Sequence, residues 1–84
     1  MSQSTLVQQK YKRITDLPEE HRFYCVVMSN KAKYSINGIQ KQVILNSTRT
    51  FIELKNGSVI NKSFILEIYL DKEKTKENWL SKLL

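Results

Sequence analysis

Apolar residues fill both alternating sets along Arg22–Ser29. Phe23, Cys25 and Val27 fall on one side of an extended chain, and Tyr24, Val26 and Met28 on the other. A strand that is apolar on both faces belongs at the centre of a sheet, covered on two sides. The polar stretch Asn30–Lys33 reads as a turn, and Lys33–Ile36 as a second short strand. Arg49–Lys55 alternates, with Phe51 facing opposite to Ile52 and Leu54. Asn56-Gly57 follows, a strong short-range hairpin signal, with Ser58–Asn61 as the returning strand. Lys62-Ser63 breaks or bulges that strand. Phe64–Leu70 then continues extended, with Phe64, Leu66, Ile68 and Leu70 on one face.

Asn37-Gly38 can be read in two ways, and the choice decides the fold. As a hairpin turn it would place Ile39, Val43 and Leu45 on one face of a strand. As a helix start it makes Asn37 an N-cap with Gln40 as its capping-box partner. Ile36, Ile39, Val43 and Ile44 then share a stripe. Gln40, Lys41 and Gln42 are better helix than strand formers, which favours the helix. Asp71 can cap a second helix over Lys72–Leu84, whose apolar residues Trp79, Leu80, Leu83 and Leu84 gather at its end. Near the start, Tyr11–Ile14 reads as a short strand or core cover, and Asp16–Glu20 as a turn or single helical turn capped by Asp16.

The expected fold is therefore α+β: an antiparallel sheet of four to five strands, one short internal helix and a C-terminal helix. The alternative is a small SH3-like or OB-like barrel plus the C-terminal helix, if Ile39–Leu45 is extended. The 84 residues suffice for one domain, 10–84, behind a polar, flexible N-terminus at 1–9. A domain of this size buries only about 60–65% of its unfolded surface. Homodimerisation would supplement so thin a margin.

Net charge is +6, and the excess is concentrated. Arg22–Lys62 holds seven basic residues against the single acid Glu53. Such a field attracts nucleic acid or an acidic protein face. Lys31, Lys33, Arg49, Lys55 and Lys62 are the candidate basic surface, at strand ends and turns. Tyr24, Tyr34 and Trp79 are candidate interface aromatics. An exposed hairpin at Phe51–Asn61, or the Trp79–Leu84 edge, would seat anchors in a protein partner. Stoichiometric binding to a protein partner is the favoured reading, and nucleic-acid binding on a basic sheet surface the alternative.

Catalysis is not expected. His21 stands alone beside a turn, Cys25 lies mid-strand, and the acids show no pairing suited to acid–base work. One His and one Cys four residues apart cannot make a metal site, and two glycines cannot build a phosphate-cradling loop. No metal or cofactor is expected. No apolar run approaches the ~18 residues of a membrane span. Met1–Gln9 lacks the apolar run of a secretory leader, and a lone thiol suits a reducing cytoplasm.

Ile44-Leu45-Asn46-Ser47, Phe51-Ile52-Glu53-Leu54, Asn56-Gly57 and Val59-Ile60-Asn61, within Ile39–Ile68, carry a family resemblance over about a third of the chain. The stretch resembles short uncharacterised proteins of bacteriophages and mobile elements of low-GC Gram-positive bacteria. The run Phe51–Gly57 also resembles the hairpins of the longer LytTR-type DNA-binding domains. The resemblance implies a mobile-element accessory protein that modulates or inhibits a host or phage machine, and it assigns no site residue.

Overall fold

A computed structural model describes residues 16–81. The flexible end expected at 1–9, the strand expected at Tyr11–Ile14 and the apolar helix-end residues Leu83 and Leu84 lie outside the described residues. The elements run β1 (Phe23–Met28), β2 (Lys33–Asn37), α1 (Gly38–Asn46), β3 (Phe51–Glu53), β4 (Val59–Asn61), β5 (Ile65–Leu70) and α2 (Lys72–Ser81). Two 3-10 turns, Glu19–His21 and Lys62–Phe64, precede β1 and β5. The fold is α+β. Among the described residues five strands form two antiparallel sheets, ordered β2-β1-β5 and β3-β4, where the sequence suggested one. Residues 39–45 are helical, which removes the barrel alternative.

The division into two sheets follows from α1. The helix takes up the chain between β2 and β3, so the β3–β4 hairpin packs by its inner face instead of extending the first sheet. Ile52, Leu54 and Ile60 from the hairpin meet Tyr24, Val26, Met28 and Ile36 from the first sheet, with Ile44 from α1 closing the cluster. β1 is central, as its two apolar faces require. Its pairing with β5 shifts register between Val27 and Met28, opposite Glu67 and Ile65, so Leu66 is an extra residue bulged out of the ladder.

Both helices begin on side-chain caps. The Asn37 carboxamide oxygen accepts the Gln40 N–H at 2.9 Å, and the Asp71 carboxylate accepts the Lys74 N–H at 3.0 Å. The turn Glu19–His21, by contrast, is entered through Pro18 with no side-chain cap, so Asp16 does not serve as its N-cap. Thr75 is fully buried and ties α2 to the start of β1. Its hydroxyl oxygen accepts the Phe23 N–H at 2.8 Å and its hydroxyl donates to the Phe23 carbonyl at 3.3 Å. The Asp71 N–H donates to that same carbonyl at 2.8 Å. These bonds satisfy main-chain groups that a strand end would otherwise leave orphaned.

On the opposite face of the sheet, Tyr69 pairs across the ladder with Cys25, a buried free thiol. The hydrogen bond between the phenol and the thiol raises the Tyr69 pKa above its ordinary 10.0, and the charge a thiolate would carry adds to the rise. Slight burial and the carboxylates of Asp71 and Glu67 contribute less. The folded chain thus keeps a proton that the unfolded chain releases at lower pH. Stability from this pair is complete below the ordinary tyrosine range and is lost as pH rises through the folded value. Alkaline unfolding measured by circular dichroism should show this loss, and Tyr69→Phe should remove its contribution. An unchanged alkaline limb in the variant would dissociate Tyr69 from the effect.

Candidate interaction surface

Alternation in the hairpin sends Ile52 and Ile60 inward, so Phe51 and Val59 project from the outer face. Phe51 is 63% and Val59 60% exposed. The register Phe51↔Asn61 and Glu53↔Val59 makes the two diagonal neighbours on that face. An aromatic ring spans such a diagonal. Phe51 also borders a groove with Val43 of α1, and Arg49 and Glu53 stand at the same groove. Val59 borders a second groove of about 340 Å³ together with Phe64, Tyr34 and Asn30. Phe64, in the turn before β5, is 57% exposed. An apolar stripe therefore runs from Val43 through Phe51 and Val59 to Phe64, and exposed Ile39, one helical turn before Val43, extends it.

The sequence placed Ile36, Ile39, Val43 and Ile44 on one apolar stripe. The structure divides that set. Ile36 and Ile44 enter the core, while Ile39 and Val43 face outward. Successive helical residues differ by about 100°, so Val43 and Ile44 cannot share a narrow face. Ile44 wins the inward position because the hairpin and sheet side chains converge there. The Lys41 ammonium covers the neighbouring Tyr24 ring at 4.2 Å from its centroid.

The candidate binding residues fall in separate places. Tyr24 is buried under that lysine and offers no stacking face, which corrects its assignment to an interface. Tyr34 is half-buried and lines the Phe64 groove. Trp79 is half-buried, and its indole N–H is enclosed without a hydrogen-bond partner among the described residues. Lys31 and Lys33 sit at the β1–β2 turn, and Lys55 at the β3–β4 tip. Arg49 and Lys62 do come together, around the loop after α1. The Arg49 N–H donates to the Ser47 hydroxyl oxygen at 3.1 Å, and the Lys62 N–H donates to the Thr50 carbonyl at 2.7 Å. The Lys62 ammonium itself donates to the Ser47 carbonyl at 2.6 Å, so it holds the loop in place. The five cations thus occupy three sites on different elements.

Phe51 faced away from Ile52 and Leu54 in the sequence pattern, and that alternation was the signal for its exposure. Val59 carried the same signal through Ile60. Among the described residues no three His, Cys, Asp or Glu side chains are grouped to hold a metal. Among them, too, no helix is long and apolar enough to cross a membrane. No protein-family model, curated protein or solved structure matches this chain.

Proposed function

We propose that this protein works by stoichiometric, non-catalytic binding to a protein partner, through the stripe Val43–Phe51–Val59–Phe64. The observation that carries the reading is the outward projection of Phe51, Val59 and Phe64, all more than half exposed, from adjoining elements. A contiguous apolar patch with a polar rim is costly to leave in water and marks an interaction surface. Exposed aromatics are the side chains that supply binding energy when a partner encloses them. The cations assist rather than lead. Arg49 stands beside Phe51, and Lys31 follows Asn30 at the Phe64 groove. A partner with an apolar patch and an acidic rim fits this arrangement, its charge speeding encounter and fixing orientation. A nucleic-acid platform would need several cations beside open aromatic faces. Here Arg49 stands beside Phe51, but Tyr24 is covered, Lys62 is engaged with Ser47, and the other candidate cations sit on separate turns. Stoichiometric binding also suits the accessory role that the resemblance to mobile-element proteins implies. A buried Cys25 thiol suits a reducing compartment.

Phe51→Ser combined with Val59→Ser tests the reading. Both sites are exposed, so the far-ultraviolet spectrum and thermal midpoint should stay near those of the parent. Affinity for a protein captured from nuclease-treated lysate should fall by about 30-fold or more, as for two residues of an interface centre. Undiminished capture by a folded double variant would overturn the proposal, as would capture that disappears on nuclease treatment.

A further inference from the structure

A separate cleft of about 300 Å³ lies where the tip of the β3–β4 hairpin meets the edge of β2 and the start of α2. Its apolar lining comes from Phe23, Ile36 and Leu54. Its polar lining has an unusual hydrogen-bond balance. The Asn37 carboxamide oxygen is committed to the Gln40 N–H, and the Asn56 carboxamide oxygen to the Ser58 N–H, each at 2.9 Å. With both oxygens engaged by backbone, each amide has its N–H₂ end left to give. The Lys74 ammonium donates to the Ser35 hydroxyl oxygen at 2.5 Å and stands 5.2 Å from the centroid of the Phe23 ring. It is held at the cleft instead of wandering in solvent, and the Ser35 hydroxyl keeps its own proton to donate. Lys55 brings a second ammonium.

Among the described residues no carboxylate lines the cleft. The nearby Asp71 carboxylate caps α2 through the Lys74 N–H, and Glu19 is paired with Arg22 at 2.8 Å. Apart from the Gln40 amide, which can turn either way, the unspent polar side-chain groups are donors, and two of them are ammonium groups. Two like charges brought together beside apolar surface, with no counter-charge of the chain's own between them, are complementary to an anion.

We propose that this cleft receives the carboxylate of an acidic side chain on the protein partner. Ser35, Asn37 and Asn56 donate to its oxygens, and Lys55 and Lys74 balance its charge. The apolar lining suits the methylene stem of a Glu side chain. The cleft's size fits one side chain and not a tracked phosphate backbone. The assignment rests on the protein-directed reading for its occupant. The two fail separately, because the titration below uses neither the partner nor the Phe51–Val59 stripe.

The test uses the full ¹⁵N-labelled chain and three probes: a capped Ala-Glu-Ala peptide, its Ala-Gln-Ala counterpart, and inorganic phosphate. The side-chain N–H₂ signals of Asn37 and Asn56 should shift and saturate with the Glu peptide, and bind the Gln peptide about 10-fold more weakly, the scale of one charge-assisted hydrogen bond. Lys55→Gln with Lys74→Gln should weaken the Glu peptide by a similar factor. Lys72→Gln with Lys76→Gln removes the same charge from exposed positions outside the cleft lining and should leave binding within about twofold. Equal binding of the Glu and Gln peptides would overturn the assignment. So would equal weakening by the two pairs of variants, which would reduce the effect to a general field. Saturation by phosphate without the Glu peptide would assign the cleft to a phosphate instead and reject the carboxylate.

Discussion

Gly38→Ala should destabilise the protein by about 2–3 kcal/mol, the upper part of the range for a side chain forced into occupied space. Helix propensity alone argues the other way, since Ala gains up to about 1 kcal/mol over Gly inside a helix. Packing reverses the sign. A Cβ at position 38 would stand 2.6 Å from the Glu19 carbonyl oxygen and 2.9 Å from the Glu19 Cβ, and closer still to a Glu19 carboxylate oxygen. A flexible carboxylate can move aside, but the carbonyl belongs to the turn that leads into β1. That turn is anchored further, because the Arg22 side chain donates to the Leu17 carbonyl at 2.8 Å and the Gly38 N–H donates to the Arg22 carbonyl at 2.9 Å. For a domain of this size the midpoint of thermal unfolding should drop by about 10–20 °C. Glu19→Ala in the same chain should restore only part of the loss. Gly57→Ala separates the two roles a glycine can play. Gly57 has φ of +88° with nothing within 4 Å of a built Cβ, so its cost is backbone strain alone, about 1 kcal/mol. A Gly38→Ala protein as stable as the parent in a thermal scan would refute the close packing of turn on helix.

Truncating Ile44 should cost about 2–5 kcal/mol, as for other large-to-small changes at fully enclosed sites. Ile44 is 1% exposed, and it is the one apolar side chain that α1 inserts into the cluster joining the two sheets. A nine-residue helix has no independent stability in water, so its hold on the fold comes from packing. A domain of 84 residues has a total stability of roughly 4–13 kcal/mol, so Ile44→Ala takes a large share of it. Leu45→Ala supplies the contrast one residue on. Leu45 is exposed, and its removal should change stability by about 0.5 kcal/mol or less. Urea unfolding of the two variants measures the difference directly. Equal effects would mean that α1 does not bridge the sheets as described.

Local signals in the chain were readable where one residue type has one physical use. Asn37 and Asp71 begin helices because their side-chain oxygens reach exposed N–H groups, and Asn56-Gly57 makes a hairpin because Gly57 accepts a positive φ. Gly38 shows where such reasoning ends. Its neighbour Asn37 left a hairpin open beside the favoured helix start; its φ is not positive, and its missing side chain makes room for Glu19, nineteen positions earlier. The split into two sheets was hidden for the same reason. Local alternation fixes which side chains of β3 and β4 point inward, but not which sheet the hairpin joins. Tyr24 could be read as an interface aromatic because β1 is apolar on both faces; only the core packing and the Lys41 ammonium over its ring show it to be buried. Seven basic residues across Arg22–Lys62 suggested one basic surface, and the fold distributes the five named candidates over three places.

The apolar stripe, and not the charge, is therefore assigned the main part of recognition. The most direct measurement is the affinity for a purified captured partner as salt rises from about 50 to 200 mM. Binding dominated by Phe51, Val59 and Phe64 should weaken by about tenfold or less across that range. A fall of about 10³–10⁵, as steep as that for multiple phosphate contacts, would contradict the account by making the cations and not the stripe the main source of affinity.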